Sequence, residues 1–457
     1  MNARRLLVGF LAAAWCDVSA AETPAPASRW GLLPPPADSV TATFRDAPTP
    51  LWEKTLLVPY RIVALPFRGV SYGIGASLVY FDDHHVIYRV SQLLGPRKGP
   101  FGVLVNFTAG GLPGFGGGLT IVHDAFLAPQ NRFKFRFQST VKGSHKITLG
   151  MRFGDGRDGR LEVGAGYRLR PNARHFGIGP ASDETRESFY KQELTWVGTT
   201  VRGQLAGDLA VEAGALFSTI GARGSDEDDS PSVSAEFAGE APPGYRERSD
   251  GVGVSLGLRH DTASEEGRPT RGGLRRVNAT YFESVDGSDV SFWTYRGEIE
   301  EFFPLWFSYR ALAVRGFLSW IEPAGDSSIP FQRMMTNDDP DLLRGYQDFR
   351  WRDRGMTALS LEYRWPLWAN READGFGLDA YLLADYGQVF GELHEIGFRT
   401  LTDSYGGGIR IASFGGFLGR AEIARSDEET VFRLRADQIF QFARGGLYHG
   451  RDPVPSR

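Results

Sequence analysis

From Phe101 to Phe442, apolar and polar residues alternate with a period of two. Phe133, Phe135 and Phe137 interleave with Arg132, Lys134 and Arg136. Leu161, Val163, Ala165, Tyr167 and Leu169 interleave with Glu162, Arg168 and Arg170. Leu359, Leu361, Tyr363 and Trp365 interleave with Ser360, Glu362 and Arg364, and Phe432, Leu434, Phe440 and Phe442 with Arg433, Arg435, Asp437 and Gln441. Such alternation puts apolar side chains on one face of a strand and charges on the other. In a water-soluble sandwich the apolar face is core; in a lipid-embedded barrel it faces outward and the charges line the interior. The segments run ~9–12 residues, which favours a tilted membrane strand over the ~5–6 of a globular sheet. About sixteen of them follow one another at a spacing of ~21 residues. The pattern predicts an all-β fold, a transmembrane antiparallel β-barrel of about 16 strands over residues 101–442, with a tail at 443–457.

The connections sharpen this expectation. Gly154–Gly159 and Ser413–Gly416 are compact, whereas Gly221–Asp250 and Glu322–Arg354 are long and polar. Short turns at one end and longer loops at the other suit a single-chain barrel of the bacterial outer membrane.

Ahead of the alternation the chain reads differently. Arg4 and Arg5, the apolar Leu6–Trp15 and the small Val18-Ser19-Ala20 make residues 1–20 a secretory signal. The single cysteine, Cys16, would leave with it, which excludes disulfides and thiolate metal sites from the mature chain. Residues 21–50 are a proline-rich lead-in. In residues 51–100, Val70, Ile74, Leu78 and Phe81 keep helical spacing, while Tyr72, Ile74, Ala76, Leu78 and Tyr80 alternate as in a strand. The favoured expectation is a short amphipathic helix that plugs the pore; attachment to the inner leaflet is the alternative.

Composition narrows the function classes. A net charge of −4 gives no reason to expect nucleic acid. The 57 glycines and 32 phenylalanines suit bent strands with an aromatic exterior. The eight histidines are scattered, so no metal site and no cofactor are expected. His123-Asp124 has no serine motif to join it, so no catalytic residues are expected either. Gly110–Gly118 lacks the Lys-Ser/Thr of a phosphate loop and is read as a bend in an early strand. The acidic run Asp226–Asp229 is read as a solvated loop.

One loop stands apart. Leu343-Arg344-Gly345-Tyr346 lies in the long connection Glu322–Arg354, and the next two strands each carry one carboxylate among apolar residues, Glu362 and Asp385. By parity both face the interior. Two confined carboxylates would hold Arg344 through charge-assisted hydrogen bonds. Gly345 is expected to let the backbone turn tightly, and Tyr346 to pack its ring and offer its hydroxyl. A second tetrad, Val314-Arg315-Gly316-Phe317, lies inside an alternating run and is read as strand, with Arg315 facing inward.

These residues resemble the barrel of the BamA/TamA-type outer-membrane proteins, the bacterial surface antigen domain. That family carries a V/L-R-G-F/Y tetrad in its sixth extracellular loop, tucked into the barrel against acidic residues of the following strands; Leu343-Arg344-Gly345-Tyr346, Glu362 and Asp385 match. Phe176-Gly177-Ile178-Gly179 resembles another family loop, as does the turn from Asp261 through Pro269-Thr270-Arg271-Gly272-Gly273. Phe440 and Phe442 resemble the C-terminal barrel signal. Family members usually carry periplasmic POTRA domains ahead of the barrel, and residues 22–100 do not show their βααββ order, so the chain is expected to be a POTRA-less member. The resemblance implies a non-enzymatic protein of the bacterial outer membrane. It would pass or insert a protein, peptide or lipid through a gated lumen or a lateral seam between the first and last strands. Its partners would be outer-membrane lipid, a protein or peptide substrate, and the barrel-assembly machinery for its own insertion. A plugged passive porin and a structural or adhesive surface barrel remain the alternatives.

Overall fold

The computed structural model of the chain describes residues 100–110, 114–154, 159–225, 231–263, 268–305, 310–338, 342–369, 377–413 and 416–435. The expectations for the signal, the lead-in, the amphipathic segment, the missing POTRA domains, Asp226–Asp229, Phe440 and Phe442 lie outside these residues.

The alternating segments form one antiparallel sheet. Its strands are β1 (Phe101–Gly110), β2 (Gly116–Asp124), β3 (Arg132–Thr140), β4 (His145–Phe153), β5 (Arg160–His175), β6 (Ser188–Ala206), β7 (Leu209–Gly224), β8 (Arg248–Asp261), β9 (Gly272–Ser284), β10 (Ser291–Pro304), β11 (Ala311–Pro323), β14 (Gly355–Ala369), β15 (Gly377–Phe390), β16 (Thr402–Ser413), β17 (Gly416–Arg425) and β18 (Thr430–Arg435). Two short strands, β12 (Met335–Thr336) and β13 (Arg352–Asp353), pair with each other inside the connection between β11 and β14. Each strand of the sheet pairs with its sequence neighbour, and β1 also pairs with β18 through Ala109↔Leu434 and Gly110↔Arg433, so the order closes into a barrel.

Strand length departs from the pattern. β2, β3 and β4 have 9 residues each, but β5 and β7 have 16 and β6 has 19. The expected ~9–12 residues came from counting only cleanly alternating positions. In β5 the alternation holds to Arg170, where a register shift between Arg170 and Ala173 breaks the parity, and the strand runs on to His175. Gly110–Gly118 is also corrected. It straddles the link between β1 and β2, ending one strand and starting the next, instead of bending one.

The outer surface is apolar. Val163, Val197, Val201, Val254, Leu256, Leu359, Leu382, Ile409 and Ile423 are all at least 38% exposed. Their neighbours of opposite parity point inward and are buried: Glu162, Thr200, Ser255, Ser360, Arg410 and Glu422. This inverts a soluble protein, and period-two alternation imposes it strand by strand. No described helix is long and apolar enough to cross a membrane, a criterion that leaves strands out of account.

At one end the strands are joined by residues 176–187, 225–247, 285–290, 324–354, 391–401 and 426–429, among others; the other end includes the connections at 207–208 and 262–271. Residues 225–247 contain the short helix α1 (Val233–Glu236), capped by the Ser232 hydroxyl. Apolar clusters fill the barrel at the long-loop end. Tyr190, Ala222, Val233, Phe237, Phe331 and Phe349 form one. Phe282, Val290, Phe292, Ile321 and Ile329 form another. The interior is therefore not uniformly polar, as strict alternation predicts. Where loops fold in, inward positions turn apolar.

Candidate functional site

The connection 324–354 leaves β11, enters the barrel and returns to β14. Arg344 lies at its innermost point with no exposed surface. Its guanidinium grips Asp385 side-on, with Nε 2.8 Å from Oδ2 and Nη2 2.7 Å from Oδ1. Nη1 donates to Glu362 Oε1 and lies 3.6 Å from Glu422 Oε2. The Arg344 backbone N–H also donates to Asp385, at 3.0 Å. Burial alone would push the Arg344 pKa down; Asp385 and Glu362 reverse this and hold it well above the usual arginine value. The planar fork suits the arrangement, because Lys offers one point charge in place of two directed donors.

The backbone around Arg344 is held as tightly as its side chain. Gly345 N–H donates to Ser404 Oγ at 3.1 Å, and the Gly345 carbonyl accepts from Ser426 Oγ at 2.9 Å. Arg433 donates to the carbonyl of Arg344, to that of Tyr346 at 2.8 Å and to Asp348 at 3.1 Å. The Tyr346 hydroxyl donates to Asp427 Oδ1 at 2.7 Å. Burial first, and then that carboxylate, raise its pKa well above the usual phenol value. Leu342, Leu343 and Tyr346 pack against Phe317, Met356, Ala358 and Val389 of β11, β14 and β15. A buried side chain of this size contributes about 1.5–3 kcal/mol, which helps to offset the cost of desolvating the ions.

The backbone does turn tightly beside the arginine, with the Tyr346 N–H donating to the Leu343 carbonyl at 3.0 Å, but the left-handed residue of the turn region is Leu343, at φ 54°. What Gly345 supplies is close approach: a Cβ there would lie 2.5 Å from Ser404 Cβ and 2.8 Å from the Arg425 carbonyl carbon. A non-glycine residue in that backbone region costs energy and persists only where the surroundings enforce it. Leu343 is fully buried in the apolar cluster.

The structure also brings Phe176-Gly177-Ile178-Gly179 to this loop. Gly179, at φ 99°, donates its N–H to the Arg352 carbonyl at 2.8 Å. Arg350 stacks over the Phe176 ring at 5.3 Å, donates to Ser182 Oγ at 2.9 Å and pairs with Glu428 at 2.7 Å. Ile178 points away and is 38% exposed. At the opposite end Arg268, in the Asp261–Gly273 connection, pairs with Asp379 of β15, which Arg410 also contacts at 3.1 Å.

Sequence reasoning missed Glu422, Ser404 and Asp427, and put Arg433 on the charged face without a partner for it. Glu422 was findable, since it sits at an inward-parity position next to apolar residues of β17. Ser404 and Asp427 contact the loop through single hydroxyl or carboxylate groups, which no pattern marks. Among the described residues no cluster of His, Cys, Asp and Glu could hold a metal ion.

With this geometry in view, solved structures that share the fold can be named. BamA from Haemophilus ducreyi lacking POTRA domains 1–3 superposes with a TM-score of 0.51 at 12% identity, covering 74% of this chain and 70% of that one. CdiB from Escherichia coli superposes with a TM-score of 0.51 at 10% identity, covering 75% of this chain and 63% of that one. At such identities the likeness is one of fold. No curated protein matches by sequence. Residues 130–424 match the Omp85 superfamily domain, and the chain belongs to the Omp85 superfamily.

Proposed function

We propose that this protein is a non-enzymatic transmembrane barrel of the bacterial outer membrane. In this reading it passes or inserts a protein or peptide through a gated lumen or through the seam between β1 and β18. The observation that carries the proposal is the internal clamp. An open pore has no need of a long loop fixed inside it by a buried arginine, two carboxylates and a second inward arginine, Arg433. A loop docked so specifically defines a closed state that other contacts can displace. The apolar outer wall supports the membrane setting, and the long loops then face the cell exterior. The superfamily's handling of protein substrates supports the class of cargo.

The test is site-specific photo-crosslinking in living cells from two outward positions, Val103 on β1 and Phe432 on β18. Adducts to one non-lipid partner at both positions are expected. Lipid adducts alone, together with steady conductance in planar bilayers, would establish the passive porin instead. The membrane setting has its own check. Phe135→Arg, on the outer face, is expected to cost ~2–4 kcal/mol near the bilayer midplane, and Arg136→Ala, on the inner face, much less. Equal loss of heat-modifiable gel migration in both would remove the face assignment.

A further inference from the structure

On the side of the barrel away from the Arg344 clamp, the inner faces of β5–β10 and the underside of residues 332–338 line a half-open chamber. Arg168 and Arg170 of β5, Arg296 of β10, and Arg333 and Arg352 of the long connection line it, with one carboxylate, Asp338. This balance is unlike the rest of the wall. Nearer the turn end, inward arginines meet inward carboxylates: Arg202 lies 2.5 Å and Arg276 3.1 Å from Glu212, and Arg259 lies 2.7 Å from Asp261.

In the chamber, Asp338 is taken by Arg170 at 2.5 Å. Arg333 is held by neutral groups, the hydroxyls and carbonyls of Ser218 and Ser249 at 2.6–3.3 Å. Burial pushes its pKa down to about 10, still charged at neutral pH, with Asp250 and Asp286 opposing the shift from farther away. Arg352, 1% exposed, donates to the Phe331 carbonyl at 2.6 Å and the Tyr190 hydroxyl at 2.8 Å. Its Nε is buried with no hydrogen-bond partner. Arg296 rests over the Phe317 ring at 5.4 Å.

Guanidinium groups crowded round one space repel one another, and an anion with two or more oxygens relieves this while matching their planar forks. The remaining wall is apolar: Leu216, Ile220, Phe282, Phe292 and Met334. Gly253 adds no side chain to it, and a Cβ there would meet neighbours only at ordinary distances of 3.4 Å or more. That position keeps space open where the fold would tolerate filling it. We propose that the chamber is a binding site for an organic anion, a phosphate or carboxylate group held by the arginines with its apolar portion against Phe282, Phe292 and Met334. The site is independent of the transport reading, because it asks only for binding.

The experiment uses the full-length barrel folded in a neutral detergent, with octyl phosphate, octanol and inorganic phosphate as probes in calorimetric titration. Octyl phosphate is expected to bind saturably, at least tenfold more tightly than octanol or inorganic phosphate. Arg296→Gln, which removes a guanidinium used in no ion pair described here, should weaken it tenfold or more. Gly253→Leu, which fills the chamber, should abolish it, with heat-modifiable migration unchanged in both variants. If Gly253→Leu does not fold, Arg296→Gln decides alone. Equal binding of octyl phosphate and octanol, inorganic phosphate binding as tightly as octyl phosphate, or undiminished binding by Arg296→Gln overturns the proposal.

Discussion

Two tetrads of nearly the same letters sit in different worlds. Val314-Arg315-Gly316-Phe317 lies in β11, and Leu343-Arg344-Gly345-Tyr346 lies in the connection that follows it. Both arginines are fully buried and both point into the barrel. The difference is in the glycine. Gly316 faces outward with open space around its Cβ position, whereas Gly345 is pressed against Ser404 and the backbone of Arg425. In the strand, the pleat decides where Arg315 points. In the loop a single local turn bond, from the Tyr346 N–H to the Leu343 carbonyl, is not enough to aim the side chain, and the surroundings bind the N–H, the carbonyl and the guanidinium of Arg344. The tetrads also meet, since Phe317 of the first is part of the apolar seat for Leu342, Leu343 and Tyr346. The tetrad in the strand thus supplies, through Phe317, part of the floor on which the other one docks.

The sharpest way to break this comparison is Arg344→Ala. Leaving Asp385 and Glu362 buried without their cation should cost ~3–5 kcal/mol. Arg344→Lys should recover little of it, because the fork is lost. Limited proteolysis within residues 324–354 and the abundance of folded barrel are the readouts. Unchanged cleavage would reduce the loop to ordinary surface. Gly345→Ala comes next. The methyl must displace Ser404 or the Arg425 backbone, with an overpacking cost of ~1–3 kcal/mol, seen as the same protease sensitivity with the ion cluster intact. Phe317→Leu should cost about 1 kcal/mol through loss of packing under the loop. Its signature is a small rise in loop cleavage without loss of barrel. Gly316→Ala closes the series with an effect within ~0.5 kcal/mol. An effect as large as that of Gly345→Ala would erase the distinction between the tetrads.

The fold was legible because alternation is a property of each strand alone. Phe133–Phe137, Leu359–Trp365 and Phe432–Leu434 each declare a face without reference to any other part of the chain. The same parity argument marked Glu362 and Asp385 and put Arg433 on the charged face without a partner for it; carried to β17 it marks Glu422 as well. What stayed hidden depends on contacts between distant segments. No local pattern says that Gly179 will donate to Arg352, or that Leu343 will take a left-handed backbone. Apolar inward residues such as Phe317, Met356 and Val389 were visible in the sequence. They read as breaks in the pattern until the loop that covers them is known.

The unequal strand lengths have a consequence for the surrounding bilayer. Nine residues of strand extend ~30 Å, or about 22 Å along the membrane normal at a tilt of ~45°. Nineteen residues extend ~65 Å, or about 45 Å along the normal. β2–β4 have 9 residues each and β6 has 19. In the membrane setting proposed above, β2–β4 are just long enough to cross the ~25 Å apolar band of such a barrel, while β6 has residues to spare beyond it. The rim of the wall is therefore low along the flank that adjoins β1 and stands clear of the bilayer beside β6.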